Sequence, residues 1–291
     1  MSLIHDLQKA ADQTGGSATR SARRTTARQL ANFADKFGIK DVRQIKPKTI
    51  VRFIDSLKAS NSTRSLQNKM SHVREILRAT KRDHLADENL ISNSRLGISG
   101  ASRIGTHEPV SDAQFTEMIK NLPEDVRIAA ELQRALGLRI AEVVGAGRKD
   151  ILMQLQRDIQ REYRKEVFIG EQTKGGKARN TSLSKDQYEK AQEVIGRAVE
   201  YLQSNNRKYL INGKSDHFKS AYDRMSNTMR RAGFTGKISS HASRYSWSRE
   251  RIKAYQDEGL SLREARLRTA QDLGHGPGRG RWVASIYARE G

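Results

Sequence analysis

Along most of this sequence apolar residues return every three or four positions, the spacing that lines one face of an α-helix. Ala27, Leu30, Ala34 and Phe37 share a face of a helix predicted over about 20–37, which Gly38 stops. A second helix begins at Pro47, a residue suited to a first turn, and buries Ile50, Phe53, Ile54 and Leu57. Asn61, Ser62 and Thr63 cap a third, whose inward face is Leu66, Met70, Val73 and Leu77. Its outward face holds Arg64, Lys69, Arg74 and Arg78, followed by Lys81 and Arg82.

The helical spacing fails from about Asn93 to Pro109, a stretch rich in Ser and Gly. Two domains follow from that break: a helical one over 1–96, a linker over 97–109, and a second domain over 110–291. In the second, helices are predicted after Ser111-Asp112, from Pro123 to Gly137, over about 185–203 and 215–232, from His241 to about Asp257, and from Leu262 to Leu273. Residues 149–165 fit a helix or a short strand. Between Glu166 and Leu183 the runs EVFIGEQ and ARNTSLS read as two strands joined by a turn at Lys174-Gly-Gly-Lys177. The expected fold class is mainly α with a small antiparallel β-sheet, as a helical N-terminal domain and a mixed α+β C-terminal domain.

Charge narrows the partner. The chain carries 54 Lys+Arg against 33 Asp+Glu, a net +21, and both halves share the excess. Such a field favours a polyanion, with nucleic acid the leading candidate. With no cysteine there is no disulfide or thiolate site, and the seven histidines lack metal-ligand spacing, so no metal site is expected. No run nears the roughly 18 apolar residues of a membrane span, and the amphipathic N-terminus lacks the apolar core of a secretory signal. A cytoplasmic, DNA-associated protein is expected.

Four short segments stand in order. They are Ala-Leu-Gly-Leu-Arg139-Ile-Ala-Glu142, the turn Lys174-Gly-Gly-Lys177-Ala-Arg179, His241-Ala-Ser-Arg244, and Leu-Gly-His275 followed by Tyr287. Here the chain resembles the tyrosine recombinase (phage integrase) family, whose pattern runs Arg, Lys, His-x-x-Arg, Leu-Gly-His, Tyr. The resemblance covers about 110–291 by motif; residues 1–96 match the family's core-binding domain by layout. It aligns Lys174 with the hairpin lysine of the family, makes Lys177 the runner-up and a phosphate contact, and gives Glu142 the role of orienting an arginine. Arg179 in the same turn, and Arg64, Lys69, Arg74 and Arg78 on the third helix, are candidate DNA contacts.

The chemistry of a phosphodiester asks for these residue types. A tyrosine phenol can attack phosphorus, hold the bond energy as a phosphoester, and leave again on reversal. Two arginines present paired planar donors to the oxygens of the phosphorane. A lysine or histidine can protonate the departing 5′-oxygen. Arg139, Arg244, Lys174, His241, His275 and Tyr287 are the catalytic candidates, and only Tyr287 among the tyrosines follows His275.

The resemblance implies a site-specific recombinase or integrase that acts through a 3′-phosphotyrosine and a Holliday junction. It implies a homotetramer on two DNA sites, with accessory proteins possible and no cofactor. Neighbouring chemistries are a type IB topoisomerase-like relaxing activity or a hairpin-forming resolvase, and a non-cleaving DNA-binding protein on the same fold is a further alternative. Two departures from the pattern stand out. The twelve-position gap from His275 to Tyr287 is longer than usual and contains GPGRGR, which predicts a flexible arm. Only four residues follow Tyr287, where many relatives continue into a regulatory helix.

Overall fold

The computed structural model describes every residue except Met1, Arg103, Ile104, Thr106, residues 161–165, Asp216, Pro277 and residues 288–291. Tyr163 and the end of the ambiguous 149–165 segment thus lie outside the described residues. Two compact units divide the chain, Met1–Ser102 and Arg103–Gly291.

The first unit is helical: α1 (Leu3–Ala11), α2 (Ser17–Asp35), α3 (Pro47–Leu57), α4 (Thr63–Ala79) and a short α5 (Asp83–Ala86). Leu7, Leu30, Ile54, Met70, Val73 and Leu77 are fully buried, so the apolar stripes read from the sequence do meet in one core. Ser62 caps α4 by accepting the Ser65 amide at 3.3 Å. Phe37 departs from expectation. Helix α2 ends at Asp35, so the helical spacing no longer applies at 37, and the ring is 53% exposed beside Phe33.

The outward cations of α4 are largely tied within the unit. Lys69 donates to Gln29 Oε1 at 2.7 Å, and Arg74 Nη2 to Ile91 O and Asn93 Oδ1 at 2.8 and 2.9 Å; both side chains are half-buried. Arg78 pairs with Asp87 at 2.6 Å and with Glu75, and Arg64 donates to Ser102 O at 3.3 Å. The open cationic face expected there is therefore corrected at Lys69 and Arg74, because α2 and the 91–93 segment pack over it.

The second unit holds α6 (Asp112–Ile119), α7 (Glu124–Ala135), α8 (Ile140–Ala146), α9 (Lys149–Ile159), β1 (Glu166–Ile169), β2 (Arg179–Ser182), α10 (Lys185–Ser204), α11 (Phe218–Arg231), α12 (Ala242–Asp257), α13 (Leu262–Asp272) and α14 (Gly280–Ile286). Among the described residues of 149–165 the helix wins over the strand. Strands β1 and β2 pair antiparallel with Glu166 opposite Ser182 and Ile169 opposite Arg179. Val167, Ile169, Arg179 and Thr181 face inward by the two-residue alternation of a strand. The fold is mainly α with this one small sheet among the described residues, and no helix there is long and apolar enough to cross a membrane.

Helix α12 runs through the core, and its Trp247 is fully buried with Nε1 donating to Ala135 O at 3.1 Å. The α7–α8 turn crosses that indole at Gly137, whose φ is +60° and where an added Cβ would stand 2.6 Å from Trp247 Cδ2. Only glycine satisfies both conditions. The arm expected after His275 contains a helix, and Pro277 of its GPGRGR run lies outside the described residues. That helix, α14, packs on α13 and ends with the Tyr287 amide donating to Val283 O at 2.8 Å. Val283 and Tyr287 are four residues apart and both buried, so one helical turn suffices to seat the tyrosine.

Gly137→Ala should lower the unfolding free energy by about 3 kcal/mol, combining left-handed backbone strain with overpacking against Trp247. A urea titration followed by tryptophan fluorescence measures it, and an unchanged midpoint would contradict this account of the turn.

Candidate active site

Glu142 is the centre from which the site is built. It lies in the first turn of α8, fully buried, and its Oε2 accepts the Arg139 amide at 2.9 Å in a reciprocal cap of the helix N-terminus. Oε1 accepts Arg139 Nη1 at 2.5 Å and Arg179 Nη1 at 2.9 Å; Oε2 also accepts Arg179 Nη2 at 3.1 Å. Arg244 Nη1 stands 3.7 Å from Oε2. Burial alone would raise this carboxyl, but the hydrogen bonds and charge of Arg179, with the charges of Arg244 and Arg139, hold it down to about 2.

Arg244, on α12, is wholly buried and donates to Gly137 O and Leu273 O. Burial and the neighbouring Arg139 and Arg179 lower it to about 10, so it remains a cation at neutral pH. Its Nε donates to Tyr287 Oη at 3.4 Å, and His241 Nε2 stands 3.5 Å from the same oxygen. Tyr287 is 2% exposed. Its ring lies 6.0 Å from His275, 5.5 Å from Trp282 and 4.7 Å from Tyr245, centroid to centroid. Trp282, edge-on to His275 at 4.1 Å, packs the tail against the core, as ordinary packing predicts.

His241 precedes α12, and His275 follows the α13 end through Gly274 at φ +70°. Both imidazoles are pushed down to about 3, first by burial and then by Arg244 and Arg139, with His107 adding to the effect on His241 and Arg179 and Lys174 to that on His275. His275 Nε2 is buried without a hydrogen-bond partner. Two guanidiniums, two neutral imidazoles and a phenol therefore converge, while a third guanidinium, that of Arg179, backs Glu142.

Of the expected site residues, Arg139, Glu142, His241, Arg244, His275 and Tyr287 come together. Lys174 and Lys177 sit exposed on the hairpin turn, where Gly175 and Gly176 have φ near +70°, outside hydrogen-bond reach of the others. Arg179 is corrected: it is 8% exposed and engaged with Glu142 and Asp272 O, so it is not a surface DNA contact. Sequence reasoning missed His107, 6.0 Å from the His241 ring, and the buried Asp272, which accepts Ser182 N and Tyr255 Oη at 3.0 and 2.9 Å. Neither carries a local signal beyond its residue type, since their partners lie 17 to 134 positions away in the chain.

This chain belongs to the phage integrase, or tyrosine recombinase, family, whose members are enzymes of DNA recombination. The family model described as Integrase matches residues 97–250, and the one described as Phage integrase, N-terminal matches residues 1–86. Among solved structures, the Tn1549 transposon integrase with a circular intermediate DNA is 12% identical with a TM-score of 0.62, covering 100% of this chain and 96% of that one. A lambda integrase dimer bound to a COC' core site is 14% identical with a TM-score of 0.63, over 100% and 98%. A lambda integrase tetramer bound to a Holliday junction is 14% identical with a TM-score of 0.59, over 100% and 79%. At these identities the likeness is one of fold. No curated protein sequence matches the chain.

The depressed histidines have a measurable consequence. With folded values near 3 against an unfolded value near 6.5, their neutral forms stabilise the fold above the unfolded value, and that stability is lost as pH falls toward the folded one. Histidine NMR shifts should show both rings neutral at about pH 5 in the DNA-free protein, while unfolding free energy declines below about pH 6. Titration of both rings near 6.5 would refute the burial argument.

Proposed function

We propose that this protein is a site-specific DNA recombinase in which Tyr287 is the nucleophile. The observation that carries the reading is the Tyr287 hydroxyl, held between Arg244 Nε and His241 Nε2 in a site where three guanidiniums surround one carboxylate. That cluster keeps a local surplus of two positive charges. A trigonal-bipyramidal phosphorane carries two negative charges, so the surplus matches the transition state better than the singly charged diester.

In the proposed reaction the Tyr287 oxygen bonds to phosphorus as the bond to the 5′-oxygen breaks. The phenol gives up its proton, the 5′-oxygen takes one, and a 3′-phosphotyrosine and a free 5′-hydroxyl result. Arg139 and Arg244 bind the non-bridging oxygens. His241 and His275 donate hydrogen bonds to the phosphoryl group; a bound phosphate offsets the arginine charges that depress them and raises both. Lys174 supplies the leaving-group proton once the hairpin turn lies on DNA, with Lys177 on an adjacent phosphate. The 5′-hydroxyl of the partner strand then attacks the phosphotyrosine, so bond energy is conserved and no nucleotide cofactor is required.

Residues 1–96 serve in this reading as the core-binding domain, 97–109 as linker and 110–291 as catalytic domain. In the first, Arg20 and Arg28 on α2 are exposed, one turn either side of Arg24, with Ser21 and Thr25 alongside them. They supplement Arg64 and Arg78 as phosphate contacts, and Lys69 and Arg74 are better regarded as supports. A tetramer on two sites passing through a Holliday junction completes the proposal, by analogy with the lambda integrase tetramer.

A nicked suicide duplex that loses its 5′-hydroxyl fragment tests the chemistry. Wild-type protein should accumulate a covalent adduct, Tyr287→Phe none, and Arg139→Ala an adduct formed about 10²–10³-fold more slowly. Absence of an adduct from the wild type would sink the reading in favour of a DNA-binding protein.

A further inference from the structure

Resting on that reading, we propose that Arg179 is a positioning residue for strand cleavage, locking the elements that carry Arg139, Lys174 and His275 into one geometry. Arg179 opens β2, directly after the turn that holds Lys174. Its Nη1 and Nη2 grip both oxygens of Glu142, the carboxylate that also fixes Arg139. Its Nε donates to Asp272 O at 2.7 Å, in the last turn of α13 three residues before His275. The side chain lies against the Leu-Gly-His turn itself, where a Cβ on Gly274 would come within 2.9 Å of Arg179 Cδ.

The rest of β2 reinforces the tie. Thr181 Oγ1 donates to Asp272 O and the Ser182 amide to Asp272 Oδ1, each at 3.0 Å. Three donors of one planar fork therefore reach three acceptor oxygens on two elements from a third. A lysine ammonium cannot span them, because its donors radiate from a single point. Being buried, Arg179 contributes orientation rather than a phosphate contact.

Removal of Arg179 also has an electrostatic signature. Glu142 would still face Arg139 and His241, which precede α8 and α12, and Arg244 on α12, but it would lose the hydrogen bonds that most oppose its burial. Its pKa would climb, and cleavage would fall as pH drops through the raised value.

The test uses full-length R179K and R179Q with the nicked suicide duplex, measuring duplex Kd, the single-turnover rate of adduct formation at saturating protein, and melting temperature. Both variants should bind DNA within about twofold of wild type while the adduct rate falls about 10²-fold, the cost of a misplacement near 1 Å. R179Q should show, between about pH 5 and pH 8, an acid limb absent from the wild type. If R179Q does not fold, R179K decides, since it keeps the charge. A folded R179K with wild-type rate and pH profile would overturn the inference, as would a loss confined to DNA affinity. No adduct from wild type would overturn the cleavage reading itself and this inference with it.

Discussion

The fully buried Glu142 carboxylate, shared by the guanidiniums of Arg139, Arg179 and Arg244, is the interaction on which the second unit depends. An isolated carboxylate could not be placed there charged, and three guanidiniums could not approach one another without it. Arg139 directly precedes α8, Arg179 opens β2 and Arg244 lies on α12, so the cluster also fixes how these pack. Buried ion networks are weak sources of stability, because desolvation consumes most of the Coulomb energy. A surplus of cations in such a place makes sense as a preorganised anion site, and it does so without help from the family resemblance.

Two glycine turns aim the backbone at Arg244. At Gly137 a positive φ ends α7 and presents its own carbonyl; at Gly274 a positive φ follows α13, and the carbonyl of Leu273 just before it is presented. The recurring Leu-Gly of two separate motifs thus has one physical meaning. Each stops a helix in a left-handed residue and leaves a terminal carbonyl for a buried guanidinium. Arg139 and His275 follow these turns by one or two residues, so the same turns that anchor Arg244 also deliver its neighbours.

Much of this was legible beforehand, and the limits have physical causes. Leu66, Met70, Val73 and Leu77 line the inner face of α4 as their spacing requires, and the hairpin forms where the glycine turn predicts it. The order Arg139, Arg244, His275, Tyr287 could be read because it matches the pattern of the family the chain resembles, and the residue types suit phosphodiester chemistry. Helix α14 could not: seven residues behind a glycine-rich run give barely two turns of periodicity, and its stability derives from packing on α13. Arg179 reads as a surface residue because it closes a basic turn whose Lys174 and Lys177 are exposed. The two-residue alternation with Thr181 was the available signal that it points inward. Nothing in the sequence announces that Lys69 meets Gln29 or that Arg74 meets Ile91, since those are tertiary pairings.

Two tyrosines pack together, tilted at 59°, at the centre of the site, and their surroundings distinguish them. Tyr245 lies 4.7 Å from Tyr287, and its phenol is pushed up to about 12, first by burial and then by Tyr287 itself. Its ring contacts include His107 and His241, both edge-on, and burial, followed by the charges of Arg244 and Arg139, keeps His241 neutral at neutral pH. Tyr287 instead has a guanidinium donor at its hydroxyl and the same guanidinium carbon 5.9 Å from its ring centroid. A guanidinium so placed favours negative charge on the oxygen it faces, whereas burial disfavours it on Tyr245 beside two imidazoles and another phenol. The geometry thus supports, for the proposed chemistry, the same tyrosine that sequence order suggests.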